Sequence, residues 1–168
     1  SYLFNNFNHF NENIDNWNVS GVTSMEGMFS GCNSFNQNLN NWDVSSVVNM
    51  GSMFYCCLNF NQKLNNWDVS NVNNMEGMFE WCKTFNRNIG NWDVSKVKNM
   101  SWMFGHNISF NQNLNEWDIS NVKYLNNMFY SCDKFNSPLH KWNIKKIPKY
   151  KKKGMFGYCQ VFSRKLNL

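Results

Sequence analysis

Apolar residues recur along this chain at fixed offsets from a tryptophan, and the whole pattern returns every 25 residues. The tryptophans are Trp17, Trp42, Trp67, Trp92, Trp117 and Trp142. Seven positions before each stands a phenylalanine (Phe10, Phe35, Phe60, Phe85, Phe110, Phe135), and three before each an aliphatic residue (Ile14, Leu39, Leu64, Ile89, Leu114, Leu139). β-Branched residues follow at two and five positions, as Val44 with Val47 and Ile119 with Val122. Then come the column Met25, Met50, Met75, Met100, Leu125 and Tyr150, a Met-Phe pair (Met28-Phe29 through Met128-Phe129), and a cysteine at 32, 57, 82 and 132, with Asn107 in the fourth copy. A fixed period between roughly 20 and 50 residues marks a repeat architecture, in which no unit buries its apolar face alone and stacking makes the core.

The offsets predict the elements of each unit. Leu39, Trp42 and Val44, with polar Asn41 and Asp43 between, read as a short strand with one face inward. From Val47 the spacing changes to three and four (Val47, Met50, Met53-Phe54, Cys57), which predicts one or two turns of helix, with Ser45 or Ser70 at the N-cap. A return segment, Phe60-Asn61-Gln62-Lys63, leads to the next leucine. The expected fold class is therefore α/β: a leucine-rich-repeat solenoid of short parallel strands and short helices, about six 25-residue coils.

The segment LNNWDVSNVNNMEGMFEWCKTFNRN, residues 64–88, resembles the repeats of BspA-like leucine-rich-repeat surface proteins, including the lipoprotein-type subfamily with W-D-V-S and M-x-x-M-F-x-x-C signatures. The resemblance covers about residues 10–140. It implies a curved right-handed solenoid on a cell or particle surface, used for attachment and recognition rather than catalysis.

Composition agrees with a scaffold: 34 Asn, 15 Phe, 10 Met and no Ala in a chain of 168 residues, long enough for one domain with a sizeable core. No stretch reaches the roughly 18–20 apolar residues of a membrane span, and no basic-plus-apolar signal segment opens the chain. Leu3, Phe4 and Phe7 fall in the columns of Met28, Phe29 and Cys32, so residues 1–9 read as a partial repeat, the end of an earlier copy or a first copy decayed into a cap. Residues 10–140 are the solenoid repeats.

The net charge of +5 conceals an asymmetry, because residues 1–140 hold seven Lys or Arg against eleven Asp or Glu, whereas residues 141–168 hold nine Lys or Arg and no acid. There the repeat degenerates, with a two-residue slip before Met155-Phe156, Cys159, Phe162 and Leu166. Lys145, Lys146, Lys149, Lys151, Lys152 and Lys153 form a basic patch within this capping repeat. It reads either as a device against edge pairing or as a contact for anionic polymer or acidic protein. The aromatic interleaving of a single-strand nucleic-acid binder is thin, so nucleic acid is not an expected partner.

Two polar columns carry the candidate chemistry. The asparagine after each phenylalanine (Asn11, Asn36, Asn61, Asn86, Asn111, Asn136) is expected to form a ladder to the next coil's backbone. Asp43, Asp68, Asp93 and Asp118 lie between inward positions and so point outward. With Asn41, Asn66, Asn91 and Glu116 they make a candidate polar strip on the concave face, unless each carboxylate is neutralised locally by the serine two residues on. No D-x-D-x-D-G loop is present, and neither metal nor cofactor is expected. Five cysteines in one inward column, with Cys56 beside Cys57, read as buried free thiols between stacked helices rather than bridges or zinc ligands. His9, His106 and His140 occupy three different repeat positions, which argues against a triad and an enzyme. The sequons at Asn18, Asn99 and Asn107 are what chance provides in so Asn-rich a chain.

The expected function is a non-catalytic recognition or adhesion module at a cell surface or outside the cell, holding a protein or glycan. The alternative is a structural component of a surface layer or virus particle, packed against neighbouring subunits. The large outward side chains Tyr55, Trp81, Trp102, His106 and Tyr130 suit the first reading as interface anchors. Apolar Tyr2, Leu3, Phe4 and Phe7 suggest that the N-terminal face packs against an upstream region or a partner subunit, while the basic end meets solvent or an acidic surface.

Overall fold

The copies stack in register, but they contain neither the strands nor the helices that the spacing predicts. The computed structural model describes residues 1–162; Leu166 and the cations Arg164 and Lys165 of the C-terminal repeat lie outside the described residues. Within them the regular structure amounts to two short 3₁₀ helices, Ile144–Lys146 and Lys149–Lys151, and isolated parallel bridges joining Ser24, Asn49, Asn74, Asn99 and Tyr124 in succession. The α/β expectation is therefore wrong in its elements.

The reason is visible in the backbone bonds of one copy. Met50, Ser52, Phe54 and Cys56 donate their N–H groups to the carbonyls of Asn74, Glu76, Met78 and Glu80, each 24 residues ahead, at 2.7–3.0 Å. The residues between them close turns within the copy: Met53 bonds Met50, Tyr55 bonds Ser52 and Cys57 bonds Phe54. Each of these N–H groups reaches back three residues, where a helix would reach four. Positive φ at Ser52 (52°) and Cys56 (56°) redirects the chain in alternate turns, so successive N–H groups alternate between the turn and the neighbouring copy. Turns of this length put every third or fourth side chain inward, which is why the apolar spacing mimics a helix. The supposed strand is likewise a pair of turns, closed by Trp42 N–H to the Leu39 carbonyl and Val47 N–H to the Val44 carbonyl.

Side chains complete the stacking. Each core tryptophan from Trp42 to Trp142 donates its indole N–H to an aliphatic carbonyl 28 residues back, as Trp67 to Leu39 at 2.8 Å. Each thiol of the inward column donates to a phenylalanine carbonyl of the preceding copy, as Cys57 to Phe29 at 3.0 Å. The asparagine ladder forms as expected, with Asn36 Oδ1 accepting the Asn61 N–H and so on from Asn11 to Asn136, at 2.8–3.0 Å. Buried polar backbone must be paired; here the next copy supplies the partner. The phenylalanines stack down the core at 5.5–6.0 Å, as Phe54 on Phe79 and Phe60 on Phe85, and Trp67 lies on Trp92 at 6.2 Å.

The ends differ from the middle. Phe4 occupies the Phe29 column and stacks on that ring at 5.7 Å, as its register predicts. Tyr2, Leu3 and Phe7 are exposed, and Trp17 is 41% exposed where Trp42 is 3%. Towards the C-terminus the bond spacing lengthens from 24 to 26 residues, with Phe129 bonding Met155 and Ser131 bonding Gly157, which is the predicted two-residue slip.

Candidate recognition surfaces

The aspartate strip is exposed, and its geometry is that of a turn. Asp43, Asp68, Asp93 and Asp118 each accept the N–H of the serine two residues on at 2.9–3.1 Å, and Ser45 adds its hydroxyl to Asp43 at 2.6 Å. The serine hydroxyls, then the serine N–H groups, hold the Asp43 and Asp93 carboxyls below the usual carboxylate range; at Asp118 the Ser120 N–H leads. Asn18 makes the same bonds to Ser20 at 3.1 and 2.8 Å without a charge. The turn therefore needs an acceptor and not a carboxylate, and Ser45 serves it rather than capping a helix.

Asn41, Asn66 and Asn91 are exposed beside this row, and the Asn91 amide donates to the Asn65 carbonyl at 2.8 Å. Glu116 pairs with Lys141 at 2.6 Å, an exposed pair of small worth. Among the described residues no cluster of three His, Cys, Asp or Glu could hold a metal ion.

The basic end is partly folded onto itself. Lys145, Lys146, Lys149 and Lys153 are exposed; Lys151 lies 5.5 Å from the Tyr124 ring centre, and Lys152 donates to the Ile144 carbonyl at 2.6 Å. A cavity of about 860 Å³ opens here between Trp142, Ile144 and Phe156, with Lys145, Lys149 and Lys152 at its margin.

A third surface lies on the outside of the row of turns. Positions two and six after the methionine column take positive φ in copy after copy, and glycine serves at Gly27, Gly31 and Gly77. In the third and fourth copies the same positions hold Trp81 (62°), Trp102 (60°) and His106 (58°). A left-handed backbone costs an ordinary residue about 1–2 kcal/mol, so three bulky rings are held where the fold itself accepts glycine. Trp81 stacks on His106 at 4.0 Å, and His106 meets Tyr130 at 5.3 Å. Trp102 lies 5.4 Å from Tyr130, and Tyr158 extends the cluster at 5.2 Å. Lys83 sits 5.4 Å over Trp81.

The sequence shows these residues singly and leaves their contact unstated, although the period places Trp81 and His106 in one column, and Tyr55, Glu80 and Tyr130 in the next. Burial lowers the His106 pKa, helped by Lys83. Its neighbours are rings and not a serine or aspartate, while His140 meets Asn115 at 3.2 Å and His9 is exposed.

Glu80 adjoins this cluster. Burial, with the Glu76 charge beside it, raises its carboxyl from 4.5 to about 7. The folded chain thus holds a proton that the unfolded chain releases near 4.5, so this contribution to stability is full below that pH and is lost as pH rises towards 7. Allowing for the water that reaches the group, Glu80→Gln should stabilise the protein by about 1 kcal/mol at pH 8 and by nothing at pH 4. Urea melts of the two proteins at both pH values check this; equal differences at both would refute it.

A chain of near-identical copies, each bonded to the next through its backbone and carrying varied side chains on the outside, is a repeat protein. It belongs to the family described as "Mycoplasma protein of unknown function, DUF285", which matches residues 1–84 and 58–168. Among solved structures the chain is similar to a leucine rich cell surface protein from Faecalibacterium prausnitzii A2-165, with 14% sequence identity and a TM-score of 0.45. That similarity covers 68% of this chain and 35% of the other, so the chain spans about a third of that protein's length. No curated protein matches. Among the described residues no helix is long and apolar enough to cross a membrane.

Proposed function

We propose that this chain is a non-catalytic recognition module of a cell surface, a solenoid of turns that presents the outer row to a protein or glycan. The supporting observation is where the copies cease to be copies. Inward columns repeat almost without change, whereas position six after the methionine column reads Gly31, Cys56, Trp81, His106 and Ser131. The core needs none of this variety. A regular core with one irregular, aromatic-rich face suits a surface selected for contact, and the three histidines lack the partners that acid–base chemistry requires.

Attachment of the labelled chain to intact cells tests the reading. The variant carrying Trp81→Gly and Trp102→Gly should lose most of the bound signal in flow cytometry. Undiminished attachment by this variant would remove the outer row from consideration.

A further inference from the structure

We infer that the outer row of the third to fifth copies is a saccharide-binding platform built on Trp102 and Tyr130, with Trp81, His106, Glu80 and Lys83 at its margin. The inference rests on the recognition reading above and names the partner's chemistry.

Two rings lie flat on bare backbone. A Cβ at Gly105 would come within 2.8 Å of the Trp102 ring, and one at Gly157 within 2.9 Å of the Tyr130 ring, so each aromatic covers a glycine that leaves room for it. The Trp102 ring also approaches Glu80, whose Cγ lies 3.5 Å from the same Gly105 position. Trp81 and His106 are packed face to face and present their edges.

A flat aromatic face carries negative charge density, which attracts the weakly positive C–H bonds on one side of a pyranose. Hydroxyls at the sugar's rim then need donors and acceptors beside the ring. Glu80, His106 and Lys83 supply them, since Lys83 sits over Trp81, and Trp81 is stacked on His106. Because Trp102 and Tyr130 belong to consecutive copies, with centroids 5.4 Å apart, successive sugars of a chain can lie along the stack.

A protein anchor would instead seek an enclosed, desolvated pocket, and the cavity described above lies at the basic end, away from these rings. The left-handed backbone at Trp81 and Trp102 completes the argument: strain kept where the fold accepts glycine points to a use for the ring.

A printed array of neutral, acidic and amino-sugar oligosaccharides, probed with the intact chain, tests the inference. At least one saccharide class should be retained, Trp102→Gly should weaken it about tenfold or more, and the variant's thermal midpoint should stay level or rise. Retention of no saccharide above the level of the Trp81→Gly, Trp102→Gly double variant would overturn the platform. If cell attachment nevertheless depends on Trp102 and survives periodate oxidation of the cells, the partner is a protein and only the recognition reading stands. A midpoint lowered by Trp102→Gly would show that the ring serves the fold, which also overturns the inference.

Discussion

Trp67→Ala is expected to lower the unfolding free energy by about 3–5 kcal/mol, the range for truncating a large buried aromatic. The indole is 3% exposed, lies parallel to Trp92 at 6.2 Å, and donates its N–H to the Leu39 carbonyl of the copy before it at 2.8 Å. Truncation leaves a cavity between copies and removes one of the side-chain bonds that join them. Leu39 keeps its turn bond from Trp42, so the carbonyl is not orphaned and the loss is chiefly one of packing. Denaturant melts read the difference, and a loss under about 1 kcal/mol would mean that this column does not carry the core.

Asn107→Cys should act in the opposite direction, stabilising the protein by about 1–3 kcal/mol. Asn107 stands in the cysteine column, fully buried, and neither its amide oxygen nor its amide nitrogen has a hydrogen-bond partner among the described residues. In the copies on either side the thiol makes a bond, Cys82 to the Phe54 carbonyl at 2.9 Å and Cys132 to the Phe104 carbonyl at 2.8 Å. A thiol at 107 would find the Phe79 carbonyl in the same register and would remove two unpaired polar atoms from the interior. The same melts check this; an unchanged or lowered midpoint would show that the amide is already satisfied. Burial also withholds the Asn107 sequon from any modifying enzyme acting on the folded chain.

The sequence carried the period, the inward columns, the asparagine ladder and the slip near the C-terminus, because each depends only on which residues lie above one another. It did not carry the local conformation. Val47, Met50, Met53-Phe54 and Cys57 recur at three and four, and both a helix and a row of turns closed three residues back turn such positions inward. The distinguishing signal was the residues between: Gly27, Gly31 and Gly77 recur at intervals that a helix would penalise and a left-handed turn requires. Ser45 misled in the same way, since a residue suited to an N-cap equally suits the turn it makes with Asp43. The aspartate strip was legible as exposed, though its carboxylates serve the turn that Asn18 makes without charge. The aromatic cluster depends on rings reaching across copies, which residue spacing does not describe.

The central structural claim is that backbone bonds run from each copy to the next, with turns in place of helices and strands. Scalar coupling across hydrogen bonds, which correlates an amide nitrogen with the carbonyl carbon that accepts its proton, tests this in a deuterated sample. The account predicts cross-peaks from Met50 to Asn74, Ser52 to Glu76, Phe54 to Met78 and Cys56 to Glu80. Correlations from Ser52 to Val48 and from Phe54 to Met50 would restore the helix and contradict the account.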